Sequence, residues 1–414
     1  MEKMLARFPP PCMRVDDPPV APETIGRMLR EDPLMDDFDV VVLGAGIAGC
    51  SVAAHIAQHA SVLVLETEEH AGYHTTGRSA ALFLLTYGNE IVQTLTRLSR
   101  NFFYAPPERF SAALVKPRTL LVTAREGQED ALHAMLAGVA PGDRFSLLSL
   151  TEATTLCPIL RPEGLVSGAY SDTCADIEVH ELMQGYARGL KANGGQVRFG
   201  SKALGIEWTG GRWSIATAAG TVRARKIVNA AGAWAGQLAE LAGASNLGLA
   251  PLKRTACLLQ PPEGAQSALW PMLVDVEDQF YLKPDAGMLL LSPADETPSP
   301  PCDAQADELD IAIAIDRLEQ ATTLQVRRIT HRWAGLRTFA PDRSPVVGWD
   351  PVQPAFFWLA ALGGFGIQTA PALSRLAASL VLDRPLDENL QASGLNIDAI
   401  APARLLQAAS LPAR

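Results

Sequence analysis

The chain has 414 residues, 48% of them hydrophobic and 19% charged, with a formal net charge of −10. Such a length exceeds one ordinary core and predicts two domains, and the composition is that of a globular protein, which excludes a disordered chain and an integral membrane segment. The acidic excess, without any Lys/Arg cluster, excludes a phosphate-backbone partner, so no nucleic acid is expected. Cys12, Cys50, Cys157, Cys174, Cys257 and Cys302 follow no CxxC or Cys/His ligand spacing. They predict reduced, mostly buried thiols in a cytoplasmic protein, with no disulfide and no metal.

Residues 1–36 carry Pro9-Pro10-Pro11 and Asp16-Asp17-Pro18-Pro19 but no apolar h-region. They predict a flexible N-terminal extension rather than a secretory signal, with folded structure beginning near Asp37. Asp39-Val40-Val41-Val42-Leu43 has the β-branched content of a buried parallel strand, and a helix is predicted over 47–58 and a second strand over 61–65. Together they form a right-handed βαβ unit. A helix over 179–191 ends at Gly194-Gly195, and strands are predicted at 196–199, 212–216, 221–224 and 227–230. The stretches 88–150 and 245–330 read as mixed strands and loops and form the candidate substrate domain. Residues 37–87, 151–244 and 331–414 are assigned to a second, discontinuous domain built on the βαβ unit. Near the end, an apolar strand over 356–361 runs through Gly363-Gly364-Phe365-Gly366 into a helix over 367–382, which should return to the first sheet. The fold class expected is α/β, a Rossmann-like domain interleaved with a β-rich α+β domain.

The βαβ unit opens on Gly44-Ala45-Gly46-Ile47-Ala48-Gly49. In that fingerprint Gly44 makes the tight turn, Gly46 admits the pyrophosphate to the backbone and Gly49 lets helix pack on strand. The free N–H groups of the helix start favour the phosphate charge. Glu66 ends the second strand 22 residues beyond Gly44, where a carboxylate accepts from ribose hydroxyls. His74 to Ala81 is small and hydroxyl-rich, suited to run along a pyrophosphate and a flavin edge, and the start of the last helix, Gly364 to Gln368, can stabilise negative charge at the flavin N1/C2 carbonyl. An NAD enzyme has no need of that second clamp, so FAD is expected.

These segments, with Asn229 to Trp234, Phe280-Tyr281-Leu282-Lys283-Pro284 and Trp333-Ala334-Gly335-Leu336-Arg337, resemble the D-amino-acid oxidase/dehydrogenase superfamily, and within it most nearly bacterial D-arginine dehydrogenases. The resemblance runs from about Asp37 to Arg404. It implies non-covalent FAD contacted by Gly44, Gly46, Ala48, Gly49, Glu66, Thr67, Thr75, Thr76, Gly77, Arg78, Ser79, Ala80, Ala81, Ala203, Ala231, Gly232, Gly363, Gly366, Ile367 and Gln368. It also implies hydride transfer from an amino-acid Cα to flavin N5, giving an imino acid that water hydrolyses to a 2-oxo acid and ammonia. Arg254 and Arg337 would grip the substrate carboxylate, Tyr87 and Tyr281 would add hydroxyl donors, and the Gly364 carbonyl would take the amine. A planar guanidinium suits that grip, since its bidentate fork fixes the carboxylate. His74 is read as structural rather than as a flavin attachment point, and Cys50 as a packed residue.

Where the arginine-oxidising relatives carry a His and a Thr in the pocket this chain has Leu82 and Leu84, and where they carry a Glu it has Leu120, or Thr119 if the alignment slips by one. A guanidinium without that carboxylate forgoes about 1.5–3 kcal/mol, and an apolar side chain against leucine gains roughly as much. The expectation is a D-amino-acid dehydrogenase or oxidase for neutral or apolar side chains, with Leu82, Leu84, Leu120 and Met272 lining the pocket and either oxygen or a quinone-type acceptor taking the electrons. Two alternatives stay open: an FAD enzyme of secondary or cyclic amino acids, of glycine, sarcosine or proline type, and a non-catalytic FAD-binding subunit.

Overall fold

The computed structural model describes residues 22–31 and 36–409. The first sheet has a parallel core in the order Phe356–Ala360, Gly220–Asn229, Asp36–Leu43, Val62–Leu65, Gln196–Arg198, with Val346–Trp349 antiparallel at its edge. Val42 lies opposite both Val64 and Val228, so the three strands meet in one register. Side chains alternate across the sheet. Val40 and Val42 join the core under helices Ile47–Ile56, Val179–Ala192 and Gly366–Val381, whereas Val41 and Leu43 join Trp213, Ile215 and Trp358 on the other face. Burial on both faces is why these strands are apolar runs without polar alternation.

The second sheet has ten strands. Val115–Arg125 pairs antiparallel with Leu165–Ile177 and parallel with Met272–Asp275, and Ala250–Leu259 pairs antiparallel with Ile329–Phe339. One face packs on helices Glu308–Ala321 and Leu150–Leu156. The other carries Leu120, Ala256, Met272, Tyr281 and Leu290.

The expected α/β class with a second, β-rich sheet is observed, and the strand 356–360 does return to the first sheet beside Gly220–Asn229. Four expectations are corrected. The separate strands at 221–224 and 227–230 are one strand, Gly220–Asn229; Arg225 and Lys226 interrupt its apolar pattern, yet the ladder to Asp36–Leu43 runs through them, and the Lys226 ammonium donates to the Val381 carbonyl. The stretch 88–150 contains the helices Glu90–Tyr104 and Glu129–Ala137, and 245–330 contains Glu308–Ala321. In the first of these Val92, Leu95, Ser99 and Phe103 make a buried stripe at helical spacing, started by Asn89, whose side chain accepts the Val92 N–H.

The proposed domain boundaries also shift, because Leu82–Phe83, Leu165–Ile177 and Ile329–Phe339 hydrogen-bond into the second sheet rather than staying with the first. An apolar strand carries no local mark of which distant strand it will pair with. The N-terminal extension, expected to be flexible throughout, contains the helix Pro22–Glu31, with Ile25 so close to Gly205 that a Cβ there would lie 2.5 Å from it. Residues 1–21 and 32–35 lie outside the described residues, as does Cys12. Cys50, Cys157, Cys174 and Cys257 are buried, whereas Cys302 is exposed.

At the end of the fingerprint helix the His55 ring packs edge-on to Tyr186, 6.2 Å between centroids, and its Nε2 is buried without a hydrogen-bond partner. Burial first, then the charges of Arg109 and Arg375, push its pKa down to about 4 from 6.5. The stability conferred by a neutral imidazole is therefore complete above pH 6.5 and is lost as pH falls toward 4. Urea melts at pH 7 and pH 4.5 should show the parent losing about 2–3 kcal/mol more than His55→Gln. Equal losses would show that His55 does not titrate in this way.

Candidate active site

A cavity of about 450 Å³ runs between the two sheets, from the ends of Asp36–Leu43 and Val62–Leu65 to the face of Ala250–Leu259 and Ile329–Phe339. Its first end is built by contact. Gly44 turns at φ +99°, and a Cβ there would stand 2.8 Å from the Ala230 carbonyl oxygen. A Cβ on Gly49 would stand 1.9 Å from the Gly44 carbonyl oxygen, so the helix sits directly on the turn. The Glu66 carboxylate is held on both sides, by the Ala45 N–H at 2.6 Å and the Glu68 N–H at 2.9 Å, and it faces the cavity. The Ile47 N–H donates to Thr76 Oγ1 at 3.0 Å, which draws the 72–80 segment over the helix start.

Farther along, the helix Gly366–Val381 begins on the same cavity. Gly363, at φ +54°, lies against Phe339 and donates its N–H to the Thr338 carbonyl at 2.9 Å. Two helix starts and a ribose-ready carboxylate thus border one elongated space. That arrangement fits a dinucleotide with anionic centres in its middle and at its far ring, the charge pattern of FAD.

The family described as DAO, FAD dependent oxidoreductase, matches residues 39–380. The chain belongs to this family of FAD-dependent oxidoreductases. It is 23% identical over 378 residues to rat (Rattus norvegicus) mitochondrial dimethylglycine dehydrogenase, covering 84% of this chain and 43% of that protein. The chain thus spans less than half the length of that relative. Among solved structures, glycine oxidase from Geobacillus kaustophilus superposes with a TM-score of 0.74 at 21% identity, over 87% of this chain and 99% of the other. L-proline dehydrogenase from P. horikoshii superposes with a TM-score of 0.74 at 20% identity, over 91% and 99%.

Of the expected cofactor contacts, Gly44, Gly46, Ala48, Glu66, Thr67, Thr75, Thr76, Arg78, Ser79, Ala80, Ala203, Ala231, Gly232, Gly363, Gly366 and Ile367 line the cavity. Gly49, Gly77, Ala81 and Gln368 stand behind it. The Gly77 N–H donates to the Gly72 carbonyl, and Ala81 accepts the Ile177 N–H. The Gln368 side chain is buried, accepting the Leu84 N–H and donating to Thr96 Oγ1. Arg78 is anchored to the second sheet, with its guanidinium on Asp303 and on the Ala304 and Ala334 carbonyls. His74 packs on Trp234, meets Glu68 at 3.1 Å and borders the cavity. Cys50 is packed, its thiol pushed up to about 12 by burial and by Glu66.

The second end of the cavity is bordered by Arg254, Ala256, Tyr281, Gly335, Leu336, Arg337, Leu362 and Gly364. Leu252 pairs with Arg337 and Arg254 with Gly335, so the two arginines are diagonal neighbours on one face of adjacent strands. They are not equivalent. The Arg254 guanidinium is taken up by the Asp295 carbonyl at 2.7 Å and the Glu296 carboxylate at 3.3 Å, and Arg343 grips the same Glu296 at 2.8 and 3.0 Å. Arg337 meets Tyr87 Oη at 3.4 Å, and among the described residues no carboxylate pairs with it. Burial opposes its charge, but Tyr87 and Tyr281 nevertheless hold its pKa above the ordinary value. A Cβ on Gly364 would lie 2.8 Å from Arg337 Nη1 and 3.3 Å from Tyr87 Oη, so a larger residue there would displace the guanidinium from its present position.

Leu82, Leu84, Leu120 and Met272 do not border the cavity; they form an apolar cluster with Tyr281, Ala256 and Ala80 directly behind it. Sequence reasoning missed Ser201, Lys202, Gln237, Leu238 and Leu241, which border the first end. Their proximity to Ala203 and Gly232 in the chain was an available signal. It also missed Glu296 and Asp278, a second carboxylate within electrostatic reach of both arginines, and loops that close only in the folded chain leave no such signal. Gly49→Ala should yield protein with a lower flavin-to-protein absorbance ratio, because a Cβ 1.9 Å from a carbonyl oxygen must push the helix from its phosphate-facing position. Full flavin occupancy in that variant would contradict this account of the turn.

Proposed function

We propose that this enzyme oxidises a secondary amino acid, N-substituted or cyclic, by hydride transfer from the carbon beside nitrogen. FAD supplies the hydride acceptor, its N5. The observation that carries the reading is the make-up of the second cavity end: Arg337, whose guanidinium meets only the Tyr87 hydroxyl, beside apolar Ala256, Leu336 and Leu362, with no carboxylate among the described residues that border that end; Glu296 and Asp278 stand outside the lining. Arg337 binds the substrate carboxylate and Tyr281 borders the same space, while Tyr87, which does not itself line the cavity, reaches it through its hydroxyl at 3.4 Å from the Arg337 guanidinium. The amine then lies unprotonated near the Gly364 carbonyl, and an N-alkyl group or ring meets alanine and leucine rather than a charge. Arg254, held by Glu296, sets the local field and acts as a secondary contact. No side chain need act as a strong base; orientation and exclusion of water carry the step. Among the relatives' names L-proline is a secondary amine and supports this class directly, dimethylglycine is a tertiary amine that shares the substituted nitrogen, and glycine is a primary amine.

A second reading keeps the expectation of primary D-amino acids with neutral or apolar side chains, and with it the likeness to D-arginine dehydrogenase. It rests on the Leu82, Leu84, Leu120 and Met272 cluster, which packs against the cavity-lining residues Tyr281, Ala256 and Ala80. Among the described residues no helix is long and apolar enough to cross a membrane. The four buried thiols support residence in the cytoplasm.

Anaerobic mixing with sarcosine, N,N-dimethylglycine, D- and L-proline, glycine, D-leucine and D-arginine tests the reading by bleaching of the flavin band. Secondary amines should bleach it fastest, and re-admitted air then separates oxidase from dehydrogenase. Faster bleaching by D-leucine than by every secondary amine would overturn the proposal in favour of the second reading. Arg337→Gln should lower kcat/KM by about 10- to 100-fold, the loss of a charge-assisted pair of about 1.5–3 kcal/mol, and Arg254→Gln by less.

A further inference from the structure

We infer that Gln93 and Asp143 are positioning residues that clamp the Tyr87 turn and so set the carboxylate grip of Arg337; this rests on the carboxylate site proposed above. Tyr87 lies in the turn between strand Leu82–Phe83 and helix Glu90–Tyr104, a place where a loop side chain would ordinarily sample several positions. Here the backbone on both sides of it is held. The Gln93 side-chain amide donates to the carbonyls of Thr86 at 3.2 Å and Gly88 at 3.1 Å, straddling Tyr87. Both partners are acceptors, so the amide orientation is determined.

From the opposite side Asp143, only 8% exposed, accepts from the Thr86 hydroxyl at 2.6 Å and the Thr86 N–H at 3.2 Å. The other oxygen of Asp143 accepts from Ser171 at 3.3 Å and from Thr173. Among the described residues no cation pairs with it. A buried carboxylate without a counter-ion is expensive, and five hydroxyl or amide donors, the Arg144 N–H at 2.9 Å among them, are what keep it in place. Ser171 and Thr173 belong to the second-sheet strand Leu165–Ile177, so Asp143 ties the Tyr87 turn to the sheet that also carries Arg337. Gly88, at φ +86°, completes the turn where a Cβ would strike Val92 at 2.8 Å. The Tyr87 ring then packs edge-on to Phe365, 4.8 Å between centroids, with Oη on Arg337.

The test uses flavin-loaded enzyme and benzoate as a monocarboxylate probe, whose binding perturbs the flavin spectrum without turnover. Tyr87→Phe should weaken benzoate about tenfold, and Gln93→Leu and Asp143→Ala about three- to tenfold, with Asp143→Asn closer to the parent. The double variant Tyr87→Phe/Gln93→Leu should bind no worse than Tyr87→Phe alone, which a general loss of stability would not produce. The substrate concentration for half-maximal flavin reduction should rise more than the limiting rate falls. Parent-like benzoate binding in Gln93→Leu and Asp143→Ala, with Tyr87→Phe weakened, would overturn the clamp and leave the carboxylate site standing. Additive losses in the double variant would also overturn it. Unchanged binding in Tyr87→Phe and Arg337→Gln would refute the carboxylate site itself. If Gln93→Leu does not fold with flavin, Thr86→Val carries the same comparison through the Asp143 arm.

Discussion

The contact between Gly49 and the Gly44 carbonyl oxygen is the constraint on which the rest of the structure depends. With no Cβ at either position, the helix Ile47–Ile56 lies against the end of its strand, and its start borders the cavity through Gly46, Ile47 and Ala48. Helix and strand are both almost wholly buried, so the turn cannot relax outward to admit a larger residue. Everything else about the cofactor end follows from that placement: Glu66 is drawn in by the Ala45 N–H, and Thr76 by the Ile47 N–H.

The substrate end is organised by another principle. Its cationic groups stand on a rigid ladder, but their roles are divided by what the loops bring to them. Glu296 arrives on the loop after Met288–Ser292 and occupies Arg254, and Arg343 holds Glu296 in turn. Arg337, two positions along the facing strand, is left to a neutral hydroxyl. In the proposed function this pair of arginines thereby becomes one anchor and one field-setting neighbour. The difference in partners, rather than in residue type, separates their functions.

Legibility in the sequence followed range. The βαβ unit, Glu66 and the returning strand and glycine turn could be read because each is a local pattern whose partners are supplied by backbone geometry common to all parallel sheets. The helix Glu90–Tyr104 was equally local, with Asn89 and a buried stripe at helical spacing, and was overlooked beside prolines and strand-like neighbours. Leu165–Ile177 and Ile329–Phe339 could not be assigned to a sheet from their residues, since pairing is decided by partners 20 and more positions away. Leu82, Leu84, Leu120 and Met272, expected to line the pocket, instead pack together behind Tyr281 and Ala256, which stand between them and the cavity.

The sequence by itself determined the cofactor site, because glycines at set spacing and a carboxylate at the next strand end act through the backbone, and the backbone responds to local rules. It also named the two arginines and two tyrosines that could meet a substrate. Only the tertiary structure decided which of them is open to it. That choice belongs to Glu296, Gln93 and Asp143, which reach Arg254 and the Tyr87 turn through side-chain contacts formed when the loops close on the second sheet.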